Sequence, residues 1–101
     1  MTQNDYKYAV VDLEATGTGS SAKIIQIGIV LIENGIITKT YETDVNPHEE
    51  LDEHIKELTG LDDERLGRAP EFSQVAAEVY ELIQDAIFVA HNVKFDANLL
   101  A

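Results

Sequence analysis

With 101 residues, 45% of them hydrophobic and 26% charged, the chain is long enough for one modest core and too short for two domains. The apolar fraction argues against wholesale disorder, and the absence of cysteine excludes a disulfide scaffold, a thiol nucleophile and a cysteine-ligated zinc site. Nineteen acidic against seven basic side chains give a formal charge of −12, a surface that repels duplex DNA and anionic membranes at long range. Met1 to Asp5 lacks the basic and apolar regions of a signal peptide. The longest apolar stretch, Ile24 to Ile32, is broken by Gln26 and Gly28 and is far too short to span a bilayer. A cytoplasmic chain without membrane contact is expected.

Tyr6 to Leu13 is rich in aromatic and β-branched residues and apolar on both faces, which predicts a central strand. Glu14 to Ser21 is turn chemistry. Ile24 to Glu33 reads as a second strand, Asn34-Gly35 is a strong hairpin signal, and Ile36 to Val45 returns as a third strand. The chain thus opens as an antiparallel meander. Ten of the acids then fall between Glu42 and Glu64, a run that reads as a solvated face. Asp52 is placed to cap a short helix ending at Thr59, with Gly60 after its last turn and Leu61 folding back on Ile55. Asp62 to Leu66 suggests one further turn. After Pro70, the residues Phe72, Val75, Ala76, Val79, Leu82 and Ile83 mark one helical face. Ala86 to Ala90 fits a short buried strand, and Asn92 is placed to cap a last helix with Phe95, Leu99 and Leu100 on its buried side. The expected class is α/β: a three-strand meander, then helices and a further strand.

Two segments are chemically unusual. In Val10-Val11-Asp12-Leu13-Glu14-Ala15-Thr16-Gly17, the alternation of strand side chains puts Asp12 and Glu14 on one face at the end of an otherwise apolar strand. Neighbouring carboxylates repel, and a divalent cation between them removes the repulsion; hard oxygen donors suit Mg²⁺ or Mn²⁺. The plainer alternative is that both end a strand in solvent. The second segment, Phe88 to Asp96, places Asp96 in the first turns of a helix directly after a strand. If that strand lies beside the first, Asp96 arrives at the same sheet edge. The plainer alternatives are a carboxylate favoured at a helix N-terminus and, for His91, an ordinary hydrogen bond at a strand end. An acidic surface does not exclude an enzyme that grips a strand end through metal ions, because bound divalent cations reverse the local field.

Taken together, the segments resemble the DnaQ-like (DEDDh) 3′–5′ exonucleases. VVDLEATG is similar to the family's first motif and HNVKFD to its second, while Asn46-Pro47 and Leu58-Thr59-Gly60-Leu61 resemble its N-P and T-G-I elements. The details look most like the exonuclease domain at the N-terminus of DinG-type helicases of Gram-positive bacteria, with polymerase proofreading domains next. The resemblance implies an RNase H-like fold and hydrolysis of the phosphodiester at the 3′ end of single-stranded DNA, or of RNA, with two Mg²⁺ or Mn²⁺ ions. It implies that Asp12 bridges both ions, that Glu14 holds one and contacts the terminal sugar hydroxyl, and that Asp96 holds the second. It further assigns Leu13, Ala15, Thr16, Gly17, His91, Asn92 and Phe95 to the substrate, with Leu61 as an apolar wedge against the last bases.

Two departures stand out. Ala15 replaces the first Thr of the family's usual pair. The third motif, H-x-x-x-x-D, which supplies the general base and a fourth carboxylate, has no match beyond the stretch already used by the second; His48 and His54 are not placed to substitute. Residues 1–101 are therefore expected to be the N-terminal portion of a single exonuclease domain, weak or inactive alone, with a helicase or polymerase domain as the partner in the parent protein. Homodimerisation is the expected way to cover a sheet edge that lacks its last strand. The alternative function is a non-catalytic, exonuclease-like module that binds a partner or a strand end.

Overall fold

The computed structural model describes residues 6–17, 19, 21–90, 96, 99 and 100. Its elements run β1 (Lys7–Ala15), β2 (Ile24–Glu33), β3 (Ile36–Asp44), α1 (Glu53–Thr59), α2 (Asp63–Gly67), α3 (Phe72–Ile83) and β4 (Ile87–Val89). Asp96, Leu99 and Leu100 are helical. Most of the expected helix cap, Asn92 included, lies outside the described residues.

The meander forms because Asn34 and Gly35 both take positive φ, 55° and 79°, the geometry of a two-residue turn whose twist matches the strands it joins. β1 and β2 pair antiparallel from Lys7↔Glu33 to Ala15↔Ile24, and β3 continues on the far side of β2. β4 then pairs parallel to β1 through Tyr8↔Ile87, Ala9↔Phe88 and Val10↔Val89. The order is β3-β2-β1-β4, so β1 is interior, as its apolar sequence requires.

Among the described residues, only one face of that sheet is covered. Ala9, Val11, Ile27, Ile29 and Leu31 are buried in a cluster with Val75, Val79 and Leu82 of α3. Their neighbours on the opposite face are open: Tyr8 is 37% exposed, Val10 36%, Ile87 45% and Val89 39%. The apolar sequence of β1 therefore places the strand centrally, as expected, without burying both of its faces. The expectation of a buried strand fails for the 86–90 run, which forms a three-residue strand at the end of the sheet order with Phe88 packed against the core and Ile87 and Val89 exposed.

A second, smaller cluster joins Ile25 of β2 to Leu51, Leu61 and Leu66, with Ile55 of α1 against it. Gly60 takes φ 76° and closes α1, its N–H donating to the Lys56 carbonyl. This αL conformation suits glycine because a Cβ there is penalised. Asp52 stands at the N-cap of α1, but its side chain makes no cap hydrogen bond. The working caps are Asp62, which accepts from the Arg65 N–H at the start of α2, and a reciprocal Glu71–Gln74 box at the start of α3.

Candidate active site

β1 alternates, so Asp12 and Glu14 share the open face with Tyr8 and Val10. Their cross-strand partners are Gly28 and Gln26 of β2. On its β2 side Asp12 consequently faces no side chain: a Cβ added at Gly28 would sit 3.7 Å from the Asp12 carbonyl oxygen and 4.0 Å from its Cβ. Immediately past Glu14 the register shifts, with Ala15 opposite Ile24 and Ile25 extra on β2. This bulge lets consecutive residues Ile24 and Ile25 enter the two separate clusters. Bulges commonly re-aim side chains beside functional sites.

Burial first, and then the negative charge of Asp12, push the Glu14 carboxyl above the ordinary glutamate range. The Asp12 carboxylate is close enough to oppose the ionisation of Glu14, which is what a cation would relieve. Two hard oxygen donors with solvent to complete the shell fit Mg²⁺ or Mn²⁺, which keep several waters and need only one or two carboxylates. Among the described residues, no three His, Asp or Glu side chains gather closely enough to hold one ion. Asp96 is buried, 7% exposed, and is not gathered with Asp12 and Glu14 into such a group.

Beyond Glu14 the loop is pinched shut. Thr16 N–H donates to the Lys23 carbonyl at 2.9 Å, and Lys23 N–H donates to Thr16 Oγ1 at 3.0 Å. The hydroxyl keeps its own proton for donation. Thr16 and Gly17 line an open cleft of about 360 Å³ with Ser21, Lys23, Glu49 and Glu50. The Lys23 ammonium reaches Glu49 at 3.4 Å. Leu13, by contrast, packs against the main core, and Ala15 ends β1 half-buried. Leu61 is 2% exposed, so its side chain closes α1 instead of projecting toward a base. His91, Asn92 and Phe95 lie outside the described residues.

The family model of the RNase T exonucleases matches residues 9–101. The chain belongs to this exonuclease family. A 3′–5′ exonuclease DinG of Staphylococcus aureus (strain USA300) is 47% identical over 94 residues, covering 92% of this chain. The chain spans about a tenth of the length of these relatives. Among solved structures, it is similar to the nuclease domain of 3′hExo, a DEDDh family member bound to rAMP, with TM-score 0.79 and 21% identity over 97% of this chain and 57% of that one. It is also similar to product-bound exonuclease I, with TM-score 0.83 and 15% identity over 95% of this chain and 24% of that one. These likenesses show the fold, which is that of RNase H-like exonuclease domains. The resemblance to the DnaQ-like family read from VVDLEATG and HNVKFD therefore holds for the RNase T exonuclease domain.

One part of the neighbourhood carries no sequence signal. Gln26 Nε2 donates to Asp44 Oδ1 at 3.1 Å, and Arg65 grips the same carboxylate through Nε at 2.6 Å and Nη2 at 3.1 Å. Burial pushes the Asp44 carboxyl up, but the hydrogen bonds from Arg65 and Gln26 outweigh it and hold it below the ordinary range. In the sequence Gln26 merely interrupts an apolar run, and Arg65 lies 21 residues from Asp44.

Proposed function

We propose that this chain contributes the first carboxylate pair of a two-metal-ion 3′–5′ exonuclease, acting on the 3′ end of single-stranded DNA, or of RNA, and releasing nucleoside 5′-monophosphates. The observation that carries the reading is the pairing of Asp12 and Glu14 on the open face, at the end of an interior strand, with Gly28 leaving the β2 side of Asp12 clear. Divalent ions, when bound, stabilise the charge developing on the phosphate and lower the pKa of an attacking water. Asp12 would bridge the two ions. Glu14 would hold one and accept the hydrogen bond of the terminal sugar hydroxyl, and Asp96 would hold the second, partly through water. The Thr16 hydroxyl, its acceptor side already occupied by Lys23 N–H, has one proton to donate to the terminal nucleotide. Gly17 allows the strand to approach the backbone, since a Cβ there would meet nothing within 4 Å.

The buried Leu61 has no role as a stacking wedge in this reading. No separate third motif occurs in these 101 residues, and general-base catalysis typically contributes about 10²- to 10⁴-fold, so weak turnover is expected of residues 1–101 alone. That two, not three, carboxylates gather among the described residues favours a second reading: a module that holds a 3′ end without cleaving it.

A gel assay of 5′-labelled single-stranded DNA with Mn²⁺ decides between them, using this chain and a longer protein that contains it. The expected result is a ladder shortened from the 3′ end by the longer protein, lost in Asp12→Asn and in EDTA. Oligonucleotide binding retained in EDTA with no shortening by either protein would replace the hydrolytic reading with the binding one.

A further inference from the structure

The Gln26–Asp44–Arg65 row starts at the metal-ligand pair. Glu14, Gln26 and Asp44 are successive partners across β1, β2 and β3, so their side chains lie side by side on one face. Directly opposed strand residues have Cβ atoms about 4.5–5.5 Å apart, so Gln26 fills the space beside Glu14 that Gly28 leaves empty beside Asp12. Gln26 is itself held at its amide by Asp44, and Asp44 by the two-pronged contact from Arg65. Arg65 in turn sits on a short helix fixed by its Asp62 cap and by the buried Leu66. A bidentate arginine–carboxylate contact is directional as well as strong. The row ends on the Arg65 guanidinium, and its other end is the strand position directly opposite Glu14.

We infer that Gln26, oriented by the Asp44–Arg65 pair, is a positioning residue for Glu14, confining that carboxylate to the Asp12 side, where the two can share a divalent ion. This rests on the metal reading of Asp12 and Glu14 proposed above. Groups that orient a metal ligand typically change metal affinity about 10- to 100-fold when removed, and Gln26 is the direct cross-strand neighbour of Glu14. The row also separates positioning from plain electrostatics. Removing the Arg65 cation would by charge alone raise the affinity of the site for a second cation. Removing it as the anchor of the row lowers that affinity.

The experiment titrates Mn²⁺ into the purified chain and follows the free ion by electron paramagnetic resonance, with a thermal melt beside each titration. The panel is wild type, Asp12→Asn, Gln26→Ala, Arg65→Ala and Arg65→Lys. The expected result is binding that Asp12→Asn removes, that Gln26→Ala and Arg65→Ala each weaken by about ten-fold, and that Arg65→Lys weakens less than Arg65→Ala. Should Arg65→Ala melt too low to titrate, Gln26→Ala and Arg65→Lys carry the comparison. Wild-type affinity in Gln26→Ala, or tighter binding in Arg65→Ala, would overturn the positioning role and leave the metal site standing. Absence of Asp12-dependent Mn²⁺ binding in the wild type would overturn the metal reading and this inference with it.

Discussion

The two faces of the sheet use alternate residues of the same strands and do opposite things. On one, Ala9, Val11, Ile27, Ile29 and Leu31 pack under α3; on the other, Tyr8, Val10, Ile87 and Val89 are more than a third exposed and grade into Asp12, Glu14, Gln26 and Asp44 at one end. A period of two residues therefore divides stability from chemistry, and adjacent positions should respond to mutation in different currencies. A pair of carboxylates can thus end an interior strand without being sealed into the core. The face that carries the carboxylates is the one the core does not use.

The division is broken most severely from the covered side. Ile29 is 1% exposed, and Ile29→Ala should cost about 2–5 kcal/mol through lost burial and the cavity left behind. That is a large share of the ~5–15 kcal/mol available to a domain. Urea unfolding should show it as a lower midpoint. The opposite pattern is expected at Gly28, where a Cβ meets only ordinary contacts and a glycine weakens the strand. Gly28→Leu should melt no lower than the wild type, while its side chain intrudes on the space beside Asp12 and weakens Mn²⁺ binding by about ten-fold, the scale of changes at groups adjoining a metal site.

Glu14 ties the two currencies together through pH. Its carboxyl is raised by burial and by Asp12, so around its titration the folded chain holds this proton more tightly than the unfolded chain does. The contribution of Glu14 to stability is thus most favourable in acid and falls as pH rises from the ordinary glutamate value through the raised one. Glu14→Gln removes this dependence: the variant should melt higher than the wild type at pH 7, and the gap should shrink toward pH 4. A gap that widens in acid would contradict the sign. The smallest effect is expected at the neighbour of a core residue: Val10→Thr, on the open face, should change stability by less than about 1 kcal/mol.

Local signals in the sequence carried the fold a long way. Asn34-Gly35 specified the hairpin and its register because so few residues tolerate two successive positive φ angles. Gly60 and the 3.6-residue spacing from Phe72 to Ile83 fixed the helix ends and the buried stripe. The 2-residue spacing of Asp12 and Glu14 placed both on one face, and that arrangement followed from strand geometry alone. What the sequence did not reveal depends on contacts between distant segments. An apolar strand looks the same whether one face or both are covered, so the exposure of Val10 and Val89 was not legible. Leu61 has the composition of a surface wedge and the environment of a core residue, a difference made by Ile25, Leu51 and Leu66 arriving around it. The Gln26–Asp44–Arg65 row joins three segments through polar side chains with no periodicity to betray them.

Amide spectra of the labelled chain during a Mn²⁺ titration distinguish an ion collected at the carboxylate end of the open face from one spread over the acidic surface elsewhere. Paramagnetic broadening should begin at Asp12 to Glu14 and at Gln26 to Gly28, spare Val75 to Leu82, and vanish from the strands in Asp12→Asn. Broadening that begins instead along the acidic run from Glu42 to Glu64, or that is unchanged by Asp12→Asn, would contradict the account.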